Sequence, residues 1–259
     1  MTFNPIAALN CIETFQNIGK DKRVIDIGAQ TPTLSIPFLE NLSKKFIFLN
    51  HNQKKGINNL IKLLRNNKKF NTKDFFHALN FSTYKSIDIN GAYNSLQLDL
   101  NNDLKEKYKF IDVYDFVINN GTGEHIFNQY SLFKNIHNLC SLGGLMLHIL
   151  PFIDWINHGF YNFHPIFFAD LAAANDYEII KLSIADRNGN EIVFKNTYYK
   201  YVYEQIKPHK NKTFFFKILD EAKKKFGMNI FVVSILKKNA TNKFKVPLQG
   251  KYLTDIENL

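Results

Sequence analysis

Four polar positions recur at the ends of short apolar runs. They are Asp26 with Gly28 after Val24-Ile25, Asp88 after Ser86-Ile87, Asp99 after Leu96-Gln-Leu98, and Asn119 with Gly121 after Phe116-Val-Ile118. β-Branched and apolar runs of this length read as buried parallel strands. Ligands of open α/β sheets bind at the carboxyl ends of their strands. These four positions would therefore line one edge of one sheet. An acid after the second strand can accept both hydroxyls of a ribose, and one after the third can accept from an exocyclic amine such as adenine's. A lone aspartate at a strand end is usually a turn or cap residue; several in register point instead to a site.

A second set of reactive side chains follows the fourth run. His125 lies just past it, where an imidazole can take a proton from a hydroxyl. The adjacent Glu124 can set its tautomer. The competing reading of His125 is a residue that caps or packs on the next helix. Beyond the fifth run, His158, Tyr161, Asn162 and His164 gather near Asp154 and Trp155. Such a concentration suggests a substrate pocket; the alternative assigns Phe160, Phe163, Phe167 and Phe168 to the core and the polar residues to a loop surface. His158 and His164 have no third ligand in a recognisable pattern, so no metal is read from the spacing. A Gly-x-Ser-x-Gly nucleophile turn and a phosphate-cradling lysine loop are both missing from the sequence.

The elements that must position these residues alternate. Strands are expected at Arg23–Ile27, Tyr84–Gly91, Ser95–Leu100, Asp112–Gly121, Leu145–Leu150, Tyr177–Leu182 and Met228–Lys237. Helices are expected at Pro5–Ile18, from Pro32 until Pro37 interrupts it, Gly56–Leu64, a stretch from Asp74 capped by Thr72, Asn128–Leu139, Phe167–Asn175 and Lys217–Lys225. Phe46–His51 is ambiguous between strand and helix flank, and Asp186–Asn190 is a turn. This alternation predicts an α/β protein built on a parallel sheet. It predicts one domain over residues 1–259, with a helical insertion at 43–81 between the first two strands and an irregular arm at 239–259.

Composition narrows the class. The 259 residues are 45% hydrophobic and 15% aromatic, enough for a sizeable core. The formal charge is +10, from 33 Lys+Arg against 23 Asp+Glu. The lysines are scattered rather than gathered on one face, which argues against nucleic acid as a partner. No apolar stretch reaches the ~20 residues of a membrane helix. Met1-Thr-Phe-Asn-Pro-Ile6 lacks a basic start followed by an apolar run, and Cys11 and Cys140 lack metal-site spacing, so a cytoplasmic protein is expected. The sequence is compatible with a homo-oligomer.

The order Val-Ile-Asp-Ile-Gly28, Ser-Ile-Asp-Ile89, Leu-Asp-Leu100, Tyr-Asp-Phe-Val-Ile-Asn-Asn-Gly-Thr-Gly-Glu-His125 and Leu-Gly-Gly-Leu-Met146 resembles the class I S-adenosylmethionine-dependent methyltransferases. The likeness runs from about Arg23 to Leu182 and extends to the final strand. It implies a Rossmann-like, mostly parallel seven-stranded sheet with helices on both faces and the last strand antiparallel. It also implies that Asp26, Gly28, Asp88 and Asp99 form an S-adenosyl-L-methionine site, with Asp88 at the ribose, Asp99 and Leu100 at the adenine, and Asn119 to Gly121 beside the methionine part. Thr122–His125 resembles the Glu-His that many members carry after the fourth strand. Gly159–Pro165 and Asp170–Asn175 are more loosely similar to methyltransferase-like proteins of bacterial surface-sugar and secondary-metabolite clusters. The expected activity is methylation of a hydroxyl on a small-molecule or carbohydrate-like acceptor. One departure stands out: the family's Gly-x-Gly-x-Gly loop reads Gly28-Ala-Gln-Thr-Pro32 here. That loop counts against NAD, whose pyrophosphate needs the later glycines, and it leaves open a non-catalytic binding or scaffold protein on the same fold.

Overall fold

The computed structural model describes residues 2–15, 18, 23–194, 224–225 and 229–250. Its frame is a seven-stranded sheet in the order β4-β2-β5-β6-β9-β7-β8. The strands are β2 (Arg23–Ile27), β4 (Thr83–Ile87), β5 (Tyr114–Asn120), β6 (Cys140–Ile153), β7 (Tyr177–Ala185), β8 (Glu191–Val193) and β9 (Ile230–Lys238). β4, β2, β5 and β6 are parallel; β9 runs antiparallel between β6 and β7, and β8 is the antiparallel edge. A separate parallel pair joins β1 (Thr2–Phe3) to β3 (Thr31–Pro32). The architecture is a Rossmann-like α/β fold, and the final strand is antiparallel as expected.

Period-two alternation divides the core into two clusters, one on each face of the sheet. Val24, Phe116, Ile118, Leu145 and Leu147 face a cluster built with α1 (Pro5–Phe15), α2 (Ile36–Lys45), α3 (His51–Arg65) and α4 (Thr72–Ala78). Ile25, Ile27, Val117 and Met146 face the cluster built with α5 (Leu104–Tyr108), α6 (Gln129–Leu139) and α7 (Pro165–Asn175). Phe3, Phe75, Phe76 and Phe81 form edge-to-face pairs under the first layer, and Tyr84 stacks on Phe76. Helices therefore cover both faces.

Several elements differ from the sequence reading. The expected third strand, Ser95–Leu100, reduces to one parallel bridge between Leu96 and Ile87. Asp99 ends it: its carboxylate accepts from the Asn101 amide and the Asn102 side chain and turns the chain away. The hairpin strand β8 supplies the seventh strand instead. Pro32 sits in β3, not at a helix start. The helix opens at Ile36 with Pro37 in its first turn, because Ser35 caps the Phe38 amide. α4 is capped by Asn71, which exchanges bonds with Asp74, and not by Thr72. Thr72 Oγ1 instead donates to the Gln30 carbonyl at 2.8 Å. Phe46–Leu49 forms a turn, and Ser141–Gly144 forms a bulge within β6. Of the helix expected at Lys217–Lys225, all but the last two residues lie outside the described residues. No helix among the described residues is long and apolar enough to cross a membrane.

One buried histidine makes this core pH-sensitive. His148, on β6, is fully buried between Phe133 and Phe168, and Asn119 Nδ2 lies 3.3 Å from its Nδ1. Burial drives its pKa from 6.5 down to about 3. Below pH 6.5 the unfolded chain takes up a proton that the folded chain refuses, so stability falls as pH drops. The His148→Gln variant should lack this slope. Urea unfolding at pH 6.5 and pH 5 should show the native chain losing about 2 kcal/mol more than the variant.

Candidate functional site

The chain leaves β2 for one edge through β4 and then crosses to β5 on the other side. The crevice between the ends of β2 and β5 is thus the topological switch point where such sheets bind ligands. Three loops meet there. Gly28 has φ +135°, and a Cβ on it would lie 2.0 Å from Thr122 Oγ1, so the first loop presses on the loop after β5. The Ala29 amide donates to Asp88 Oδ2 at 3.1 Å, which ties the first loop to the end of β4. Gln30 Nε2 donates to the Asn120 carbonyl, and Asn120 Nδ2 donates back to Gln30 Oε1.

The polar strand ends expected to bind a cofactor behave differently from one another. Asp88 is half-buried, and each of its oxygens accepts one amide, from Ala29 and from Asn90. Asp99 is also half-buried but is committed to Asn101 and Asn102, while Leu100 beside it is buried in the core. Asp26 is fully buried and faces inward; its partner is the Tyr84 hydroxyl at 3.4 Å, and burial holds its carboxyl well above the usual range. Asn119 is buried too: its Oδ1 accepts the Gly123 amide at 3.0 Å. Gly121 has φ +69° and donates its amide to Ile149.

Beyond β5, the short 3-10 turn Gly123–His125 carries Glu124 and His125. Glu124 has no solvent exposure. His158 comes to it from the loop after β6, with Nε2 3.3 Å from Glu124 Oε1; His125 Nε2 lies 3.8 Å from the same oxygen. The two rings meet edge to face at 5.0 Å. Neither carboxyl oxygen has a hydrogen-bond partner. Burial raises the Glu124 pKa to about 7, and burial lowers those of His125 and His158. The loop is pinned in place. Phe160 and Tyr161 amides bond to the Glu124 carbonyl, Trp155 packs on His158 at 4.8 Å, and a Cβ on Gly159 would meet Glu124 Cγ at 2.8 Å.

The residues read from sequence as a single substrate pocket are split. His158 joins Glu124 and His125. Tyr161, Asn162 and His164 line an apolar cavity of about 550 Å3, walled by Phe133 and Phe167. The Tyr161 hydroxyl donates to the Phe127 carbonyl. His158 and Glu124 are separated by the whole of α6 and β6, and nothing in their spacing foretold the contact. Thr122 and Asn120 were also unforeseen as partners of the first loop, although the side chains at positions 29 and 30 were the signal that this loop is unusual.

No family model and no curated protein matches the sequence. Among solved structures, the chain is similar to the O-methyltransferase of a trans-AT polyketide synthase from Brevibacillus brevis, solved with S-adenosyl-L-homocysteine. The identity is 17%, the alignment covers 92% of this chain and 72% of that one, and the TM-score is 0.41. It is also similar to a SAM-dependent methyltransferase from Archaeoglobus fulgidus, at 15% identity over 89% and 92% of the two chains, with a TM-score of 0.43. A putative methyltransferase from Bacillus halodurans gives 12% identity, 90% and 99% coverage and a TM-score of 0.39.

The geometry of the first loop makes a direct prediction. Gly28→Ala should destabilise the fold by about 1–3 kcal/mol, because φ +135° strains an L side chain. Adding Thr122→Ala should restore only the part due to contact. Chemical denaturation of the single and double variants measures both.

Proposed function

We propose that the chain is an S-adenosyl-L-methionine-dependent methyltransferase acting on a hydroxyl of a small-molecule or carbohydrate-like acceptor. The observation that carries this reading is a juxtaposition. A strand-end carboxylate with free lone pairs, Asp88, stands at the switch point, and an acid–histidine cluster stands one turn beyond β5. Each Asp88 oxygen accepts a single amide and retains capacity for a ribose hydroxyl. Asp88 would hold the ribose, Asp99 and Leu100 the adenine, and the first loop with Gly121 the remainder. Asp26 and Asn119, both inward-facing, would keep those loops in shape.

S-Adenosyl-L-methionine, when bound, supplies an electrophilic methyl group on a sulfonium. The chain's own residues would align the acceptor and remove its proton. His125, with its side chain 44% exposed above Glu124, would receive the hydroxyl proton. Glu124 would stabilise the imidazolium that results. The aromatic cavity beside Tyr161 would take an apolar face of the acceptor. Two buried free thiols fit a reducing, cytoplasmic setting. One domain over 1–259 with 43–81 inserted fits the core cluster that α3 and α4 share with α1 and the sheet; of the arm expected at 239–259, residues beyond Gly250 lie outside the described residues.

A second reading, a non-catalytic binding protein, is favoured by one specific feature. The Gln30–Asn120 pair spans the crevice where the methionine end would enter. Calorimetric titration with S-adenosylhomocysteine separates the two. Micromolar binding, weakened at least about tenfold in Asp88→Ala, is the expected result. Absence of binding by the folded native chain at millimolar ligand, with binding recovered in Gln30→Gly, would favour the second reading.

A further inference from the structure

We propose that Glu124, His125 and His158 form a binding site for a first-row divalent metal ion of the zinc type. The inference goes beyond the methyltransferase reading and does not depend on it; an ion held on His125 Nε2 would take that nitrogen out of the proton-accepting role. One ligand atom from each residue lies within 4.8 Å of the other two. His158 Nε2 and His125 Nε2 are 3.3 and 3.8 Å from Glu124 Oε1. Ligands about 2.0–2.1 Å from a tetrahedral ion stand roughly 3.3–3.5 Å apart, close to the two histidine–glutamate separations here. Two imidazoles and one carboxylate are a zinc-type donor set, whereas magnesium and calcium take oxygen ligands.

The polar atoms here are left without other work. Both Glu124 oxygens and His158 Nε2 are buried atoms with no hydrogen-bond partner, although they sit within reach of one another. Burying a carboxylate without partners is costly, and a cation accepts its lone pairs without requiring a donor hydrogen. The backbone frame is already built. The His158 loop is held to the Glu124 turn by the Phe160 and Tyr161 amides, and Trp155 fixes the His158 ring while its own Nε1 donates to the Ile230 carbonyl at 3.0 Å. The side chains of His125 and His158 are 44% and 29% exposed, and three protein ligands leave the fourth position of a tetrahedral ion for a further oxygen ligand.

The test reads metal binding itself. Full-length protein freed of affinity tags and stripped with chelator is titrated with cobalt(II), followed by its visible absorption, and then with zinc(II) in competition and by calorimetry. One equivalent should bind with the intense bands of a four-coordinate cobalt site. Glu124→Gln and His158→Gln should each weaken binding by about 100-fold or more, and His51→Gln, a change at the start of α3, should leave it unchanged. Circular dichroism reports whether each variant folds; His125→Gln, at an exposed side chain, serves where Glu124→Gln does not fold. Failure to bind one equivalent at millimolar metal, or binding that survives His158→Gln and His125→Gln, overturns the proposal. Neither outcome bears on S-adenosylhomocysteine binding at Asp88, so the two readings fail separately.

Discussion

The site depends on how the ends of β2 and β5 are held together. Parallel strands leave their carboxyl ends as separate loops, and nothing in the ladder fixes one loop against the next. Here a buried amide pair does so. Gln30 and Asn120 exchange two hydrogen bonds, Thr72 donates to the Gln30 carbonyl, and Gly28 lies against Thr122. Buried amides left unpaired would each cost about 1–3 kcal/mol, so the loops are fixed to each other as much as to their strands. α4 is drawn in through Thr72, which couples the helical layer over the sheet to the crevice. A loop of three glycines would lack this cross-link. The Gln30 side chain makes this loop a cross-link to the end of β5.

Two buried carboxyls near the crevice illustrate how similar groups acquire different roles. Asp26 has the Tyr84 hydroxyl beside it, and burial holds its carboxyl well above the usual range. Glu124 is as fully buried, yet what faces it is two imidazoles whose exposed edges reach solvent. In the first setting the acid faces a phenol. In the second, a proton or a cation can arrive through the histidines. The difference lies in neighbours, since both are acids close to the end of a sheet strand.

Much of the fold was legible because strands in this sheet are buried on both faces and read as apolar runs. β2, β5, β6, β7 and β9 all stand within a few residues of their expected places. The failures have local causes. Ser95–Leu100 carries the alternation of a strand, but Asp99 bonds its own following amides and ends the pairing after one bridge. Pro32 and Pro37 are both compatible with a first helical turn, and Ser35, a capping residue placed between them, decides for the second. Asp88 was legible as a strand-end acid from sequence, whereas the contact between His158 and Glu124 was not. The first follows from position along one strand. The second is made by a loop folding back across the sheet edge, where neither periodicity nor spacing carries information.

The alternation that defines strands also explains why the candidate site has two halves. Asn119 and Asn120 are adjacent in β5 and point to opposite faces. Asn120 joins Gln30 on the face of α1 to α4, where Asp26 also lies. Asn119 turns to the other face, takes the Gly123 amide, and meets His148. It thereby shapes the 3-10 turn that presents Glu124 and His125. One dipeptide therefore touches both the crevice between β2 and β5 and the turn that carries the acid–histidine cluster. Exchanging the two faces by a one-residue slip of β5 would bury the wrong apolar set throughout the strand. The packing of Phe116, Val117 and Ile118 consequently fixes the register of the chemistry that follows them, and the distance between the two halves of the site is a property of the core.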